Sequence, residues 1–190
     1  MPSQFWNIAA SEPKRQHRFI VNFPSLVSAN GEYQKYLAKA ATKPGFTVST
    51  TEHKFLGNTY YYPGTVTWDE VTITLINSIT PDGNELFYEA LIGSGYLRPN
   101  EQGDAFQLGE PVGTINKFDA LGALGGVTIR EVDGSGFAVG DWELKNAFIT
   151  GVKFGDLDYA SDDLLNIEVT IRYDWATYSI GSGALIDANA

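Results

Sequence analysis

The chain has 190 residues, a formal charge of −10 and no cysteine. That length fits one domain with room for an arm or an insertion. The acidity argues against sequence-specific DNA binding, and the missing thiols exclude disulfides, thiolate catalysis and Cys-ligated zinc.

Twenty glycines, ten Tyr, eleven Phe and four Trp against a single Met favour strands and tight turns over a helical bundle. No stretch approaches the roughly 20 apolar residues of a membrane-spanning helix. The N-terminal arm, 1–16, places its basic residues after its apolar ones, the wrong order for a signal peptide. The expectation is a soluble protein retained where it is made.

"HRFIVNFP" (17–24) reads as a first strand ended by Pro24, and "ANGE" (29–32) as a turn. In "EYQKYLAKAATKPGF", Tyr33, Tyr36, Leu37 and Ala40 fall at helical spacing, while Tyr36, Ala38 and Ala40 also alternate. Helix and strand both stay open there. From 46 to 77, Phe46 and Val48 open an arm, "LGN" (56–58) turns it, and Tyr60, Tyr61 and Tyr62 run back toward Pro63-Gly64. This is a long β-hairpin. Val66 and Trp68 then alternate in one phase, and Val71, Ile73 and Leu75 in the other. The change near Asp69–Glu70 implies a bulge, a bend or a break.

"TPDGNELFYEALIGSG" (80–95) predicts a helix with Leu86, Phe87, Ala90 and Leu91 on its apolar stripe. Asp82 and Glu85 suit its capping box, and Gly93 or Gly95 its end. Residues 97–126 read as an irregular loop insertion. "VTIREVDGSGFAVGDWELKNAFI" (127–149) predicts a hairpin turning at Gly134-Ser135-Gly136. "DDLLNIEVTIRYDWATY" (162–178) alternates throughout. Leu165, Ile167, Val169, Ile171, Tyr173 and Trp175 form one wall; Asn166, Glu168, Thr170, Arg172 and Asp174 form the other. The small-residue tail, 179–190, reads as flexible.

Catalytic signatures are thin. His17 and His53 are the two histidines, and no nucleophile elbow accompanies them, so both read as surface residues. Asp156, Asp158, Asp162 and Asp163 invite a calcium reading, but their spacing departs from the EF-hand and an acidic turn fits better. Asp69 and Glu70, being adjacent on a strand, point apart and do not make a glycosidase pair. The expectation is no enzyme, no cofactor and no metal. The basic run holds Lys14, Arg15, His17 and Arg18. It is either a solvated arm or an electrostatic clip (Lys14, Arg15, Arg18) onto an acidic partner, another copy of this chain included.

"YYYPGTVTWDEVTITLINS", followed far downstream by "DWELKNAFITGVKFGDLDYASDDLLNIEVTIRYDWATY", resembles the tail-tube proteins of contractile-tailed bacteriophages, the T-even-like family. The shared features are a hairpin ending in Gly, an aromatic-acidic step and a Thr/Val strand ending in Asn. Further on come a W-E-L strand, an aromatic at Phe148, a Gly-acidic turn and a closing Tyr173-Asp174-Trp175. These motifs cover 46–78 and 141–178, and the order of elements extends the likeness to 17–45 and 79–96. Residues 98–126 and the last dozen have no counterpart.

The resemblance implies a mainly β subunit of two packed antiparallel sheets, sandwich- or barrel-like, spanning 17–178. One helix flanks it, a long hairpin projects, and its strands contribute to an inner β-barrel built by many subunits. It turns "YLAKAATKPGF" toward strand. It implies stacked hexameric rings forming the tube of a virion tail, assembled in the host bacterial cytoplasm. The partners would be the sheath, baseplate and tail-terminator proteins, with DNA passing through unbound and no membrane insertion. Phe46, Val48, Phe55, Leu56, Tyr60, Tyr61 and Tyr62 would be buried between rings or subunits. Asp69, Glu70, Thr72, Thr74, Glu168, Thr170, Arg172 and Asp174 would face the lumen or a neighbouring strand. An acidic balance suits a bore that must not grip DNA. Two alternatives stand beside this: the inner tube of a phage-derived contractile injection system, and a monomeric β-sandwich binding module. The latter, carbohydrate-binding for example, would use Tyr60–Tyr62 and Trp142 as stacking platforms.

Overall fold

The computed structural model describes residues 13–26, 38–102 and 113–181. In chain order the strands are β1 (Phe19–Asn22), β2 (Ala38–Ala41), β3 (Phe46–Phe55), β4 (Asn58–Trp68) and β5 (Val71–Ile76), then helices α1 (Gly83–Gly93) and α2 (Lys117–Leu124). They are followed by β6 (Val127–Val132), β7 (Ala138–Lys145), β8 (Phe148–Lys153), β9 (Asn166–Arg172) and β10 (Trp175–Ile180). Two four-stranded antiparallel sheets pack face to face: sheet A in the order β1-β6-β7-β10 and sheet B in the order β2-β5-β9-β8. Among the described residues β3 and β4 pair only with each other.

Alternation builds the core. β5 and β6 bury every second residue, and so does β9. Val71, Ile73 and Leu75 meet Ile171, Val169 and Ile167 across sheet B, and Val21, Val127, Ile129 and Leu144 face them from sheet A. Phe87 and Ala90 of α1 and Leu124 of α2 close one side. Burying such side chains contributes about 1.5–3 kcal/mol each, which sets the register firmly. The phase change expected near Asp69–Glu70 is a strand break: β4 ends at Trp68 and β5 begins at Val71.

Asp82 caps α1 by accepting from the Asn84 N–H at 2.9 Å, and Gly95, at φ +96°, takes the chain out of it. "YLAKAATKPGF" contributes strand β2, as the resemblance implied, because pairing with β5 outweighs the helical propensity of Ala and Lys. Tyr33, Tyr36, Leu37, the 29–32 turn, 1–12 and 182–190 lie outside the described residues.

Four expectations are corrected. The 97–126 insertion is not irregular throughout: α2 forms inside it, capped by Asn116, whose side chain accepts from the Asp119 N–H at 2.9 Å. Its low-contrast "KFDALGAL" packs on α1 and β8, so more than one helix flanks the sheets. Leu91 is 39% exposed and leaves the α1 stripe to Leu86, Phe87 and Ala90. The long alternating segment is not one strand. β9 stops at Arg172, the chain crosses at Tyr173-Asp174, and β10 joins sheet A beside β7. Trp175, past that crossing, is 46% exposed and off the core wall. β10 runs on to Ile180, past the expected boundary at 178.

Candidate assembly surfaces

The β3–β4 ribbon is solvent-exposed along nearly its whole length. Ten residues at ~3.4 Å each give it a length of about 30 Å. At its base Phe46 packs edge-on against Trp68 with ring centroids 5.5 Å apart, and Trp68 lies 6.0 Å from the buried Tyr173. At its tip Leu56 and Gly57 both take positive φ, +48° and +80°, the geometry of a tight two-residue hairpin turn. Register slips once, between Val48 and Thr50. One residue of β3, Ser49, there stands opposite two of β4, Gly64 and Thr65, and the Thr65 N–H donates to Ser49 Oγ at 2.9 Å. A Cβ on Gly64 would collide with that hydroxyl.

The bulge sorts the side chains. Val48 pairs with Val66 and Phe46 with Trp68 on one face; Phe55, Tyr60 and Tyr62 occupy the other near the tip, with Tyr61 behind them. All seven expected hairpin residues are exposed, Leu56 by 84% and Tyr61 by 65%. An apolar surface of this extent on a two-stranded ribbon needs covering.

The expected polar wall is only partly assembled. Thr72 pairs with Thr170 and Thr74 with Glu168 on the outer face of sheet B. Lys153 Nζ donates to Glu168 at 3.1 Å, and Arg172 lies 3.5 Å from Glu70. Asp69 and Glu70 sit in the exposed link before β5. Asp174 leaves this face at the crossing. It accepts from Lys117 Nζ at 2.7 and 2.9 Å and from Asn146 Nδ2 at 2.7 Å, and the Lys117 bond foremost holds its carboxyl below the ordinary range. This cluster borders a groove of about 510 Å³ lined by Val66, Trp68, Ile115, Phe148 and Tyr173. Tyr173 Oη is buried there with no hydrogen-bond partner among the described residues.

Lys14 of the basic run folds back onto its own domain. It pairs with Glu131 and reaches Tyr178 Oη at 3.2 Å. Lys43 pairs with the other oxygen of Glu131. Arg15, Arg18 and Lys39 line the same cleft, about 510 Å³ in volume. Residue reading missed Lys39, Lys43 and Glu131: Lys39 and Lys43 stood in a segment judged only for helix or strand. Lys43 meets Glu131 across nearly ninety positions, which leaves no local trace.

His17 and His53 are both exposed. Among the described residues no cluster of carboxylates or histidines converges to hold a metal, the four loop aspartates included. Trp142 is half-covered by Tyr178 at a centroid distance of 4.9 Å, which leaves it poorly placed as a stacking platform.

No family model and no curated protein matches this sequence. Solved structures do. A chain of the sheath–tube complex of an extracellular contractile injection system, PVC, in the extended state is 20% identical with TM-score 0.60, covering 94% of this chain and 99% of that one. A chain of the tube-terminating cap of the anti-feeding prophage is 17% identical with TM-score 0.61, covering 95% and 99%. A chain of that prophage's six-fold symmetrised baseplate is 18% identical with TM-score 0.55, covering 89% and 97%. The fold is therefore one that recurs in contractile machines, and it spans nearly the whole of each chain. That is the fold the resemblance to tail-tube proteins implied.

Proposed function

We propose that this chain is the building block of the inner tube of a contractile machine. The observation that carries the reading is the β3–β4 ribbon: an exposed apolar arm with no partner strand among the described residues beyond the hairpin itself, on a fold found in such machines. A lone two-stranded ribbon is marginal in water, and contact with another subunit supplies what it lacks. The described residues also leave β1, β10, β2 and β8 as sheet edges, and closure into a ring removes edges.

In this reading subunits form hexameric rings that stack into a tube. Phe46, Val48, Phe55, Leu56 and Tyr60–Tyr62 lie between rings or subunits. The outer face of sheet B, with Thr72, Thr74, Glu168, Thr170 and Arg172, faces the bore or an adjoining strand. A sheath surrounds the tube, and baseplate and terminator proteins end it. The cargo is DNA in a phage tail; in an injection device it would be protein. Paired charges such as Lys153–Glu168 and Arg172–Glu70 give a bore little net potential with which to retain either.

Negative-stain microscopy of the purified chain, across concentration and salt, tests the proposal. Rings or hollow tubes with a central hole are expected. Monodisperse monomers under every condition would overturn it.

A further inference from the structure

Five of the thirteen basic residues of this acidic chain line one cleft: Lys14, Arg15, Arg18, Lys39 and Lys43. Among the described residues that line it, one carboxylate, Glu131, stands against three lysines, Lys14, Lys39 and Lys43; it is 7% exposed and engaged by Lys14 and Lys43. Counting these lysines alone, the described lining carries a net positive charge within a protein whose total is −10. Its β2 wall is the first strand of sheet B.

The last strand of sheet B, β8, leads into the opposite feature. From Phe154 to Leu164 the chain is exposed throughout, and no Lys or Arg occurs between Lys153 and Arg172. Asp156, Asp158, Asp162 and Asp163 stand in this loop, and among the described residues none of them belongs to an ion pair. The same loop holds out Leu157 at 88% and Tyr159 fully to solvent. A loop with carboxylates outside any described ion pair and bare apolar side chains suits docking onto a basic surface.

From these two features we infer that the 155–164 loop of one subunit docks into the Lys14–Lys39–Lys43 cleft of the next. Loop and cleft belong to opposite edges of one sheet, so the contact is head-to-tail. A head-to-tail contact repeated by rotation closes a ring. Complementary charge sets the direction, because loop against loop and cleft against cleft both repel. This assignment rests on the tube reading and adds to it a lateral contact distinct from the hairpin.

Zero-length carbodiimide cross-linking of assembled wild-type protein, followed by peptide mass spectrometry, tests it directly. Mixing isotopically light and heavy chains identifies bonds between subunits. The expected product joins Lys39 or Lys43 to Asp158, Asp162 or Asp163 in mixed-isotope pairs.

Charge reversal gives the second arm. Asp158→Lys with Asp162→Lys should leave circular dichroism and melting unchanged while raising the concentration needed for assembly at least ~10-fold. Adding Lys39→Glu to that variant should restore much of the loss. Rings that form normally in the loop variant, or that show no mixed Lys–Asp link, overturn the docking and leave the tube reading intact. Wild-type chains that never assemble overturn both.

Discussion

Glu131 shows how one buried carboxylate can fix an arm to a domain. Burial alone pushes its pKa up, but hydrogen bonds and charge from Lys14 and Lys43 outweigh that and hold it below the ordinary carboxylate range. A depressed folded-state pKa means stabilisation that is complete above the unfolded value, about 4.3, and is lost as pH falls through the folded one. Both lysines are half-exposed, which tempers the magnitude. Glu131→Gln should therefore cost about 1–2 kcal/mol at pH 7 in urea unfolding, with the difference from wild type shrinking as pH falls below that range. A difference that does not change with pH would show that shape, not charge, holds the site. Tyr173 presents the reverse case. Burial first, and Asp69 second, push its phenol above the ordinary value, and its hydroxyl has no partner among the described residues. Because a buried unpaired hydroxyl contributes nothing favourable, Tyr173→Phe should leave the single chain as stable as before or up to about 1 kcal/mol more so. A loss larger than that in thermal unfolding would mean that the phenol is bonded.

Among the elements, the hairpin was the most legible and its tip the most informative. Two β-prone arms around "LGN" announced the ribbon, and its turn forms at Leu56-Gly57. What the pattern did not carry was the bulge opposite Ser49, since the signal is one extra residue in a run that alternates on both sides. Strands β5, β6 and the first half of the closing segment were equally clear, because each buries one face and alternation records that directly. The crossing at Tyr173-Asp174 was invisible for a related reason: β9 and β10 continue the same apolar rhythm while belonging to different sheets. Helix α2 escaped because Gly122 and a weak stripe blur its period, and its packing on α1 and β8 supplies what local propensity lacks. The turn itself makes a prediction. Leucine at positive φ is strained by roughly 1 kcal/mol, and at 84% exposure Leu56 gains little from the described residues of its own chain. Leu56→Asn should relieve that strain, slowing amide exchange near the tip, and at the same time shorten or abolish tubes seen by microscopy. If tubes keep their normal length, the tip makes no contact between rings.

At the scale of the whole molecule, composition indicated an acidic, strand-rich single domain, and the resemblance supplied the architecture that composition could not. The basic cleft was out of reach, since its residues come from three separated segments and meet only after both sheets have formed. With it in view, the chain carries two unlike surfaces: an apolar ribbon and a pair of oppositely charged patches. Salt separates them. Screening shortens the reach of charge from about 10 Å at 0.1 M to about 3 Å at 1 M, whereas sulfate strengthens apolar burial by exclusion from the surface. If rings close through charge and stack through the ribbon, sodium chloride should lower the fraction of closed rings in sedimentation velocity. Ammonium sulfate at matched ionic strength should offset that loss by lengthening stacks. The loop variant Asp158→Lys, Asp162→Lys should lose its sensitivity to sodium chloride, because the attraction that salt screens is already gone. Equal responses of wild type and variant to chloride would mean that the lateral contact is not electrostatic. Lengthening that persists in Leu56→Asn would place stacking elsewhere than the tip. The two salts and two variants thus assign each surface its own contact, with neither inferred from the failure of the other.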